Sequence, residues 1–267
     1  MNRDAYDKID ALNFSRAKYL LRSGKHFQAA CEDTEDDPTK YAVGTLVHSM
    51  ILEGKDLRAS FAIKPKGMSF ATKDGKAWRD SQTLPILGQE DSETVPRLAD
   101  AIAMHKQARL IIEGCKLREH VIVTTMYEVK CKSRLDMVGI DNEGRPGFAE
   151  VKTSIDARTE FFRNRCCSDP FHYDMQAEFY ASLLGLDLGD ESRPWSVWIV
   201  VENKPPFDVA CYAPTDYMIE SGIEKLRQAL DRYKECLAAD SWPGACSEAI
   251  EPIDAPAWRQ AQLVNAL

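Results

Sequence analysis

The chain has 267 residues, enough to bury one sizeable core, and 44% of them are hydrophobic and 28% charged, the balance of a soluble globular protein. A net charge of -8 argues against a protein that coats nucleic acid indiscriminately, although a local basic lining can coexist with an acidic exterior. No apolar run approaches the ~20 residues that cross a bilayer, and the polar start MNRDAYDKIDALNF lacks the apolar stretch of a secretory signal, so no membrane partner and a cytoplasmic setting are expected.

In chain order, residues 13–23 (NFSRAKYLLRS) are predicted as a short helix, capped by Asn13 or Ser15 and stopped at Gly24. The acidic run 31–40, with its proline, is expected as a loop. A second helix is predicted over 44–54, where Leu46, Val47, Met50 and Ile51 recur at helical spacing before Gly54, with His48 at the edge of that stripe. Residues 61–80 are expected as an exposed excursion. An amphipathic helix is predicted over 95–115, ended by Gly114.

From His120 the texture turns to β-branched and alternating residues: strand and strand through HVIVTTMYEVKCKSRLDMVGI, a turn at DNEGRPG, then the strand FAEVKTS. Helix returns at 171–186, followed by strands in WSVWIVVENKPP and FDVACYAP. A long helix over 215–239, capped by Thr215 or Asp216, precedes a tail expected to pack through Trp242 and Trp258. The fold class expected is mixed α/β (α+β), a central mixed sheet flanked by helices. One domain is expected over 1–267, with a mostly helical part at 1–115, the sheet and its following helix at 120–212, and a helix and tail at 215–267.

The 8 cysteines include no C-x-x-C pair, and the only close neighbours are Cys166 and Cys167. Without ligand spacing and without a signal peptide, buried reduced thiols are the expected state. Basic residues cluster at Arg16, Lys18, Arg22, Lys25 and His26, at Lys64, Lys66, Lys73, Lys76 and Arg79, and at Arg158, Arg163 and Arg165. Solvated surface is the ordinary state of such runs.

Chemistry concentrates in Asp136 and in Glu150-Val151-Lys152. Glu150 and Lys152, two apart on a strand, project from one face, and the DNEGRPG turn can fold Asp136 beside Glu150. An E-x-K on a strand is, on its own, a solvent-face ion pair. Here the acids sit in apolar runs, LDMVGI and FAEV, where a charge costs several kcal/mol unless paired or bound to a cation. Two hard carboxylates suit Mg²⁺, with Mn²⁺ as the alternative.

Taken as an ordered set, LNFSRAKYLL, SGKHF, GTLVHSMILEG, the stretch Lys73–Trp78, CKSRLDMVG, AEVKTS and YDMQAEFY resemble the RecE-like (exonuclease VIII-like) phage and prophage exonucleases of the PD-(D/E)XK, restriction-endonuclease-like superfamily. The resemblance implies that Asp136 and Glu150 are metal-binding acids and Lys152 the catalytic lysine, with His48 and Val151 joining the metal shell. Alone, His48 reads as a satisfied histidine on a half-buried helix. Gln176 and Tyr180, four apart on one helical face, match the Q-x-x-x-Y motif implied to support the site; their plain alternative is a packing pair. Glu128 is a weaker candidate ligand, and His172 and Tyr173 adjoin the motif helix without a role. From the basic clusters, Arg16, Lys73, Lys76, Arg158, Arg163 and Arg165 are the candidate DNA contacts.

The resemblance further implies 5′→3′ digestion of linear double-stranded DNA, leaving 3′ overhangs for recombination, by a ring-shaped homo-oligomer (trimer or tetramer) beside a single-strand annealing protein of RecT or Redβ type. Rival readings are a nuclease of this fold with another polarity or substrate, such as single-stranded DNA or a flap, and an inactive DNA-binding module. The sequence departs from the superfamily name in carrying Leu135 before Asp136, and it lacks the cysteine set of iron–sulfur members.

Overall fold

The computed structural model describes residues 3–32, 43–54, 56–190, 192–247 and 249–264. Helices α1 (Arg3–Asp7) and α2 (Phe14–Ala17) lead through a 3-10 turn at Lys18–Leu21 into α3 (Gly24–Glu32). Asn13 caps α2, its side chain accepting the Arg16 amide at 3.0 Å. Gly24 opens α3 instead of stopping a helix. A Cβ there would lie 3.0 Å from Cys236 Sγ and 3.1 Å from the Trp242 backbone, so the glycine serves close approach of the C-terminal segment. Of the run expected as a loop, Cys31 and Glu32 are helical and 33–40 lie outside the described residues.

Helix α4 (Val43–Glu53) ends at Gly54, φ +63°, as predicted. After α5 (Leu57–Ser60), the expected excursion contains β1 (Ala62–Ile63) and α6 (Lys73–Asp80), and β2 (Ile86–Leu87) then pairs in parallel with β1. The helix predicted over 95–115 is two: α7 (Gln89–Met104) and α8 (Lys106–Gly114). His105 parts them, because its backbone turns to ψ 113° and its Nδ1 accepts the Ala108 amide at 3.2 Å, capping a new helix where the old one would continue.

Strands β3 (Cys115–Met126), β4 (Val129–Ile140) and β5 (Pro146–Ser154) form an antiparallel meander. Tyr127 and Glu128, at φ 47° and 68°, make the two-residue turn whose twist suits a hairpin. The next turn is held by Asp141 Oδ1, which accepts the Glu143 and Arg145 amides at 2.9 Å each. Helices α9 (Thr159–Cys167) and α10 (Tyr173–Leu188) then cross over so that β6 (Trp195–Glu202) runs parallel to β5. The sequence does not predict α9. Antiparallel β7 (Val209–Tyr212) completes the order β3-β4-β5-β6-β7, followed by α11 (Asp216–Ala239) and α12 (Ala257–Val264).

One core packs Phe14, Leu20, Phe148, Met175, Phe179 and Leu226 on the α10 and α11 side of the sheet. Another packs Leu46, Val47, Leu98, Ile102, Met137 and Val151 on the α4 and α7 side. The mixed sheet flanked by helices is therefore as expected. Trp242 stacks on Phe27 with ring centroids 5.0 Å apart, but Trp258 is 66% exposed, so the tail is not anchored through it. All eight cysteines are free, and Cys115, Cys131, Cys166 and Cys236 are buried. Among the described residues no helix is long and apolar enough to cross a membrane.

Candidate active site

Strands β4 and β5 pair only from Ile140–Pro146 to Met137–Ala149. Beyond that point β4 keeps to β3 as far as Val129, and β5 keeps to β6 as far as Ser154, so the sheet forks. Asp136 and Glu150 stand at the crotch, both buried. Their carboxylates replace the missing ladder: Glu150 Oε1 accepts the Asp136 amide at 3.1 Å, and Asp136 Oδ2 accepts the Val151 amide at 2.9 Å. Each acid thus spends one oxygen on backbone and turns the other to the site.

Those outer oxygens meet two bases. Lys152 Nζ lies 3.1 Å from Glu150 Oε2, with the Tyr173 ring centroid 4.8 Å away. From α4, His48 Nδ1 lies 3.4 Å from Asp136 Oδ1, and Nε2 is 2.8 Å from Val151 O. The carbonyl can only accept, so that bond requires the proton on Nε2. The Val151 side chain packs into the core on the α4 and α7 side, and its carbonyl, the atom that would join a metal shell, is already engaged by His48.

Burial opposes charge on every one of these groups. It pushes the Asp136 carboxyl up, but His48, Lys152 and the Val151 amide outweigh it and hold the pKa below the usual carboxylate value. Glu150 goes the other way: burial first, and the Asp136 charge second, raise it to about 7. Burial lowers His48, yet the charge and hydrogen bond of Asp136 carry it up to about 9. For Lys152, burial is outweighed by Glu150, Tyr173 and Asp136, and the pKa rises. The cations are therefore held charged by the acids they face.

A third carboxylate is present that the predicted pattern does not include. Glu119 lies just before His120, where the sequence predicts the strand to begin, whereas β3 starts at Cys115. Between the pairs Arg118–Met137 and His120–Leu135, it stands across from Asp136. The polar run KLRE carries no alternation that would extend the strand back to it in the sequence. Its φ of 50° is left-handed, which costs a non-glycine residue roughly 1 kcal/mol. Ligand atoms of His48, Glu119 and Asp136 all lie within 4.8 Å of one another. Arg134 Nε is 2.6 Å from Glu119 Oε2, yet that buried oxygen receives no hydrogen bond. Glu128, by contrast, is exposed in the hairpin turn at the far end of β4, away from the fork, and is not a site residue.

On α10, Gln176 and Tyr180 are buried and bonded to each other, Nε2 to the phenol oxygen, at 3.2 Å. Gln176 Oε1 is left without a partner, and Tyr180 packs edge-on against Phe148. Burial, with Glu150 adding to it, raises the Tyr180 pKa well above its usual value.

The basic candidates differ among themselves. Arg16, Lys73, Lys76 and Arg163 are exposed. Arg158 is exposed but chelated by Asp156, with Nη2 at 2.6 Å from Oδ2. Arg165 is held between the rings of Phe161 and Phe171, whose centroids lie 5.2 and 4.3 Å away. Lys18, not singled out from its cluster, bonds Pro170 O at 2.8 Å; burial lowers its pKa, Asp169 opposes that, and Lys152 is near enough to lower it further.

The donor set fits a divalent cation. Carboxylate oxygens dominate, an imidazole supplies one nitrogen, and Gln176 Oε1 is a buried acceptor with no hydrogen bond.

Residues 13–255 match the family model described as "PDDEXK-like domain of unknown function (DUF3799)". The chain belongs to that family, and its sheet and helices are of the restriction-endonuclease-like kind. A crystal structure titled "Putative exonuclease" from Eubacterium rectale superposes with a TM-score of 0.61 at 13% identity, covering 95% of this chain and 96% of that one. At that identity the likeness is one of fold. The crystal structure of SSO0001 gives a TM-score of 0.32 at 14% identity, over 71% of this chain and 84% of its own, too low to weigh. No curated protein matches the sequence.

Proposed function

We propose that the chain is a metal-dependent nuclease that hydrolyses DNA phosphodiester bonds at the fork between β4 and β5. The observation that carries this reading is the convergence of Asp136, Glu150 and Lys152 at the crotch, with His48 reaching in from α4. His48, Asp136 and Glu150 are the residues that would hold Mg²⁺ or Mn²⁺. Such an ion supplies Lewis-acid polarisation of a phosphate and lowers the pKa of a water.

The chain's own groups do the rest. Lys152 has one carboxylate partner and an aromatic face beside it, so donors remain for a phosphate oxygen and for the attacking water. Its charge persists in the buried site because Glu150 favours it. The backbone amides of Asp136 and Val151 hold both carboxylates in orientation. Gln176, tied to Tyr180, presents its free Oε1 as an acceptor from the helix behind.

The finer reading follows the RecE-like order of motifs. The substrate is linear double-stranded DNA, degraded 5′→3′ to leave 3′ overhangs for recombination. A ring-shaped trimer or tetramer threads the duplex, and an annealing protein of RecT or Redβ type takes up the exposed strand in the cytoplasm. Arg16, Lys73, Lys76 and Arg163, exposed on three helices, are the DNA contacts in this reading.

The test is digestion of linear duplex labelled separately at each end, with Mg²⁺ or with EDTA. Mg²⁺-dependent release of the 5′ label as mononucleotide is expected. Loss from the 3′ end would keep the chemistry and overturn the polarity. Cleavage of a circular plasmid would replace the exonuclease by an endonuclease, and no cleavage with Mg²⁺ or with Mn²⁺ in its place would leave an inactive binding module.

A further inference from the structure

Three donors meet on the α4 side of the fork, and they come from three elements: His48 from α4, Glu119 from β3 and Asp136 from β4. Glu150, one strand further on, has its outer oxygen engaged by Lys152 at 3.1 Å. The backbone explains how Glu119 comes to be there. At φ 50° it leaves the extended conformation of the strand, directly across from Asp136, while its neighbours Arg118 and His120 keep their register.

Arg134 alone does not account for this arrangement. Its Nε lies 2.6 Å from Glu119 Oε2, but the oxygen is buried and takes no hydrogen bond from it. A guanidinium that simply neutralised the acid would be expected to donate in line, often with two parallel bonds. The carboxylate is brought close to Asp136, another acid, which raises its cost; burial, opposed by Arg134, lifts its pKa. Two acids and an imidazole whose ligand atoms lie within 4.8 Å of one another form the mixed oxygen and nitrogen set that a divalent cation takes.

We propose that Glu119 is a ligand of the divalent cation at the fork, completing from β3 the set that His48 and Asp136 supply. The inference rests on the metal-dependent reading above and assigns to that site a third carboxylate that the E-x-K pattern does not contain.

Direct binding of Mn²⁺ to the full chain, by electron paramagnetic resonance of the free ion with no DNA present, tests it. Glu119→Gln, which keeps the volume and removes the charge, is expected to weaken Mn²⁺ binding about tenfold or more. Glu119→Asp, which keeps a charge for Arg134 but withdraws the carboxylate by one methylene, is expected to weaken it as well and guards against misfolding of the first variant. Arg134→Gln and the distant Glu128→Gln should bind as the wild type does.

Folded Glu119 variants with wild-type affinity would overturn the proposal and leave Glu119 as the partner of Arg134. Equal losses in Glu119→Gln and Arg134→Gln would overturn it too, pointing to a shared structural role. A wild-type chain that binds no Mn²⁺ would remove the metal-dependent reading itself, whereas binding that ignores residue 119 would remove only this inference.

Discussion

Buried acids occur in two places in this protein, and they are treated differently. Behind the sheet, on α10, Asp174 receives Lys225 Nζ at 2.6 Å, Ser221 Oγ at 2.7 Å and the Met175 amide at 2.8 Å. Glu178, four residues on, is gripped by Arg193 through Nε and Nη2. At the fork Lys152 stands 3.1 Å from Glu150 and His48 3.4 Å from Asp136, and Arg134, though 2.6 Å from Glu119, is not aligned with it as a hydrogen bond. The lysines repeat the contrast. Lys132 is spent on the carbonyls of Tyr6, Asp7 and Ile9 at 2.9, 3.2 and 2.9 Å, whereas Lys152 holds one carboxylate and retains free donors. Closed shells fasten elements together; open ones keep room for a ligand.

The sharpest way to break that contrast is at the fork. Lys152→Ala is expected to lower cleavage of linear duplex by about a thousandfold, equivalent to about 4 kcal/mol of barrier, while Mn²⁺ binding and the circular-dichroism spectrum persist. Asp136→Ala or Glu150→Ala should also abolish cleavage, and a Glu150→Ala protein cutting at the wild-type rate would sink the site assignment.

On α10 the cost should appear in stability. Arg193→Ala leaves Glu178 buried and unpaired, so urea unfolding should show a loss of about 3 kcal/mol. Adding Glu178→Leu to Arg193→Met should recover most of it, because an apolar pair of similar volume carries no desolvation cost. Lys132→Met, which strips three carbonyls of their donor, should cost about 2 kcal/mol and free the N-terminal helix to protease. At the bottom of the scale, Trp258→Ala should change stability by less than ~0.5 kcal/mol, and a larger drop would mean that the tail is anchored after all.

The chemistry-bearing strands were legible because their pattern is local. Asp136, the DNEGRPG turn and Glu150-Val151-Lys152 fix which residues face each other, and turn composition sets the hairpin. What lay hidden depended on longer-range facts. His105 breaks a helix whose apolar spacing continues through it, since one ring nitrogen can cap the next turn. Gly24 looks like a helix stop until Trp242 and Cys236, more than two hundred residues away in the chain, come to rest against it. Glu119 sits in the polar run KLRE, where alternation gives no sign of strand, and only the register with β4 places it beside Asp136. Periodicity reports a face; it does not report which distant element will cover that face.

The fork also gives the site a spectroscopic handle. The amide protons of Asp136 and Val151 are bonded to carboxylates and not to the carbonyls of a neighbouring strand. Each carboxylate carries an amide on one oxygen and faces the site with the other, so protonation of the outer oxygen, or a cation on it, redistributes charge on the inner one. The chemical shifts and hydrogen-exchange rates of two backbone amides will then track occupancy at the crotch, in a sample that contains no substrate and performs no turnover.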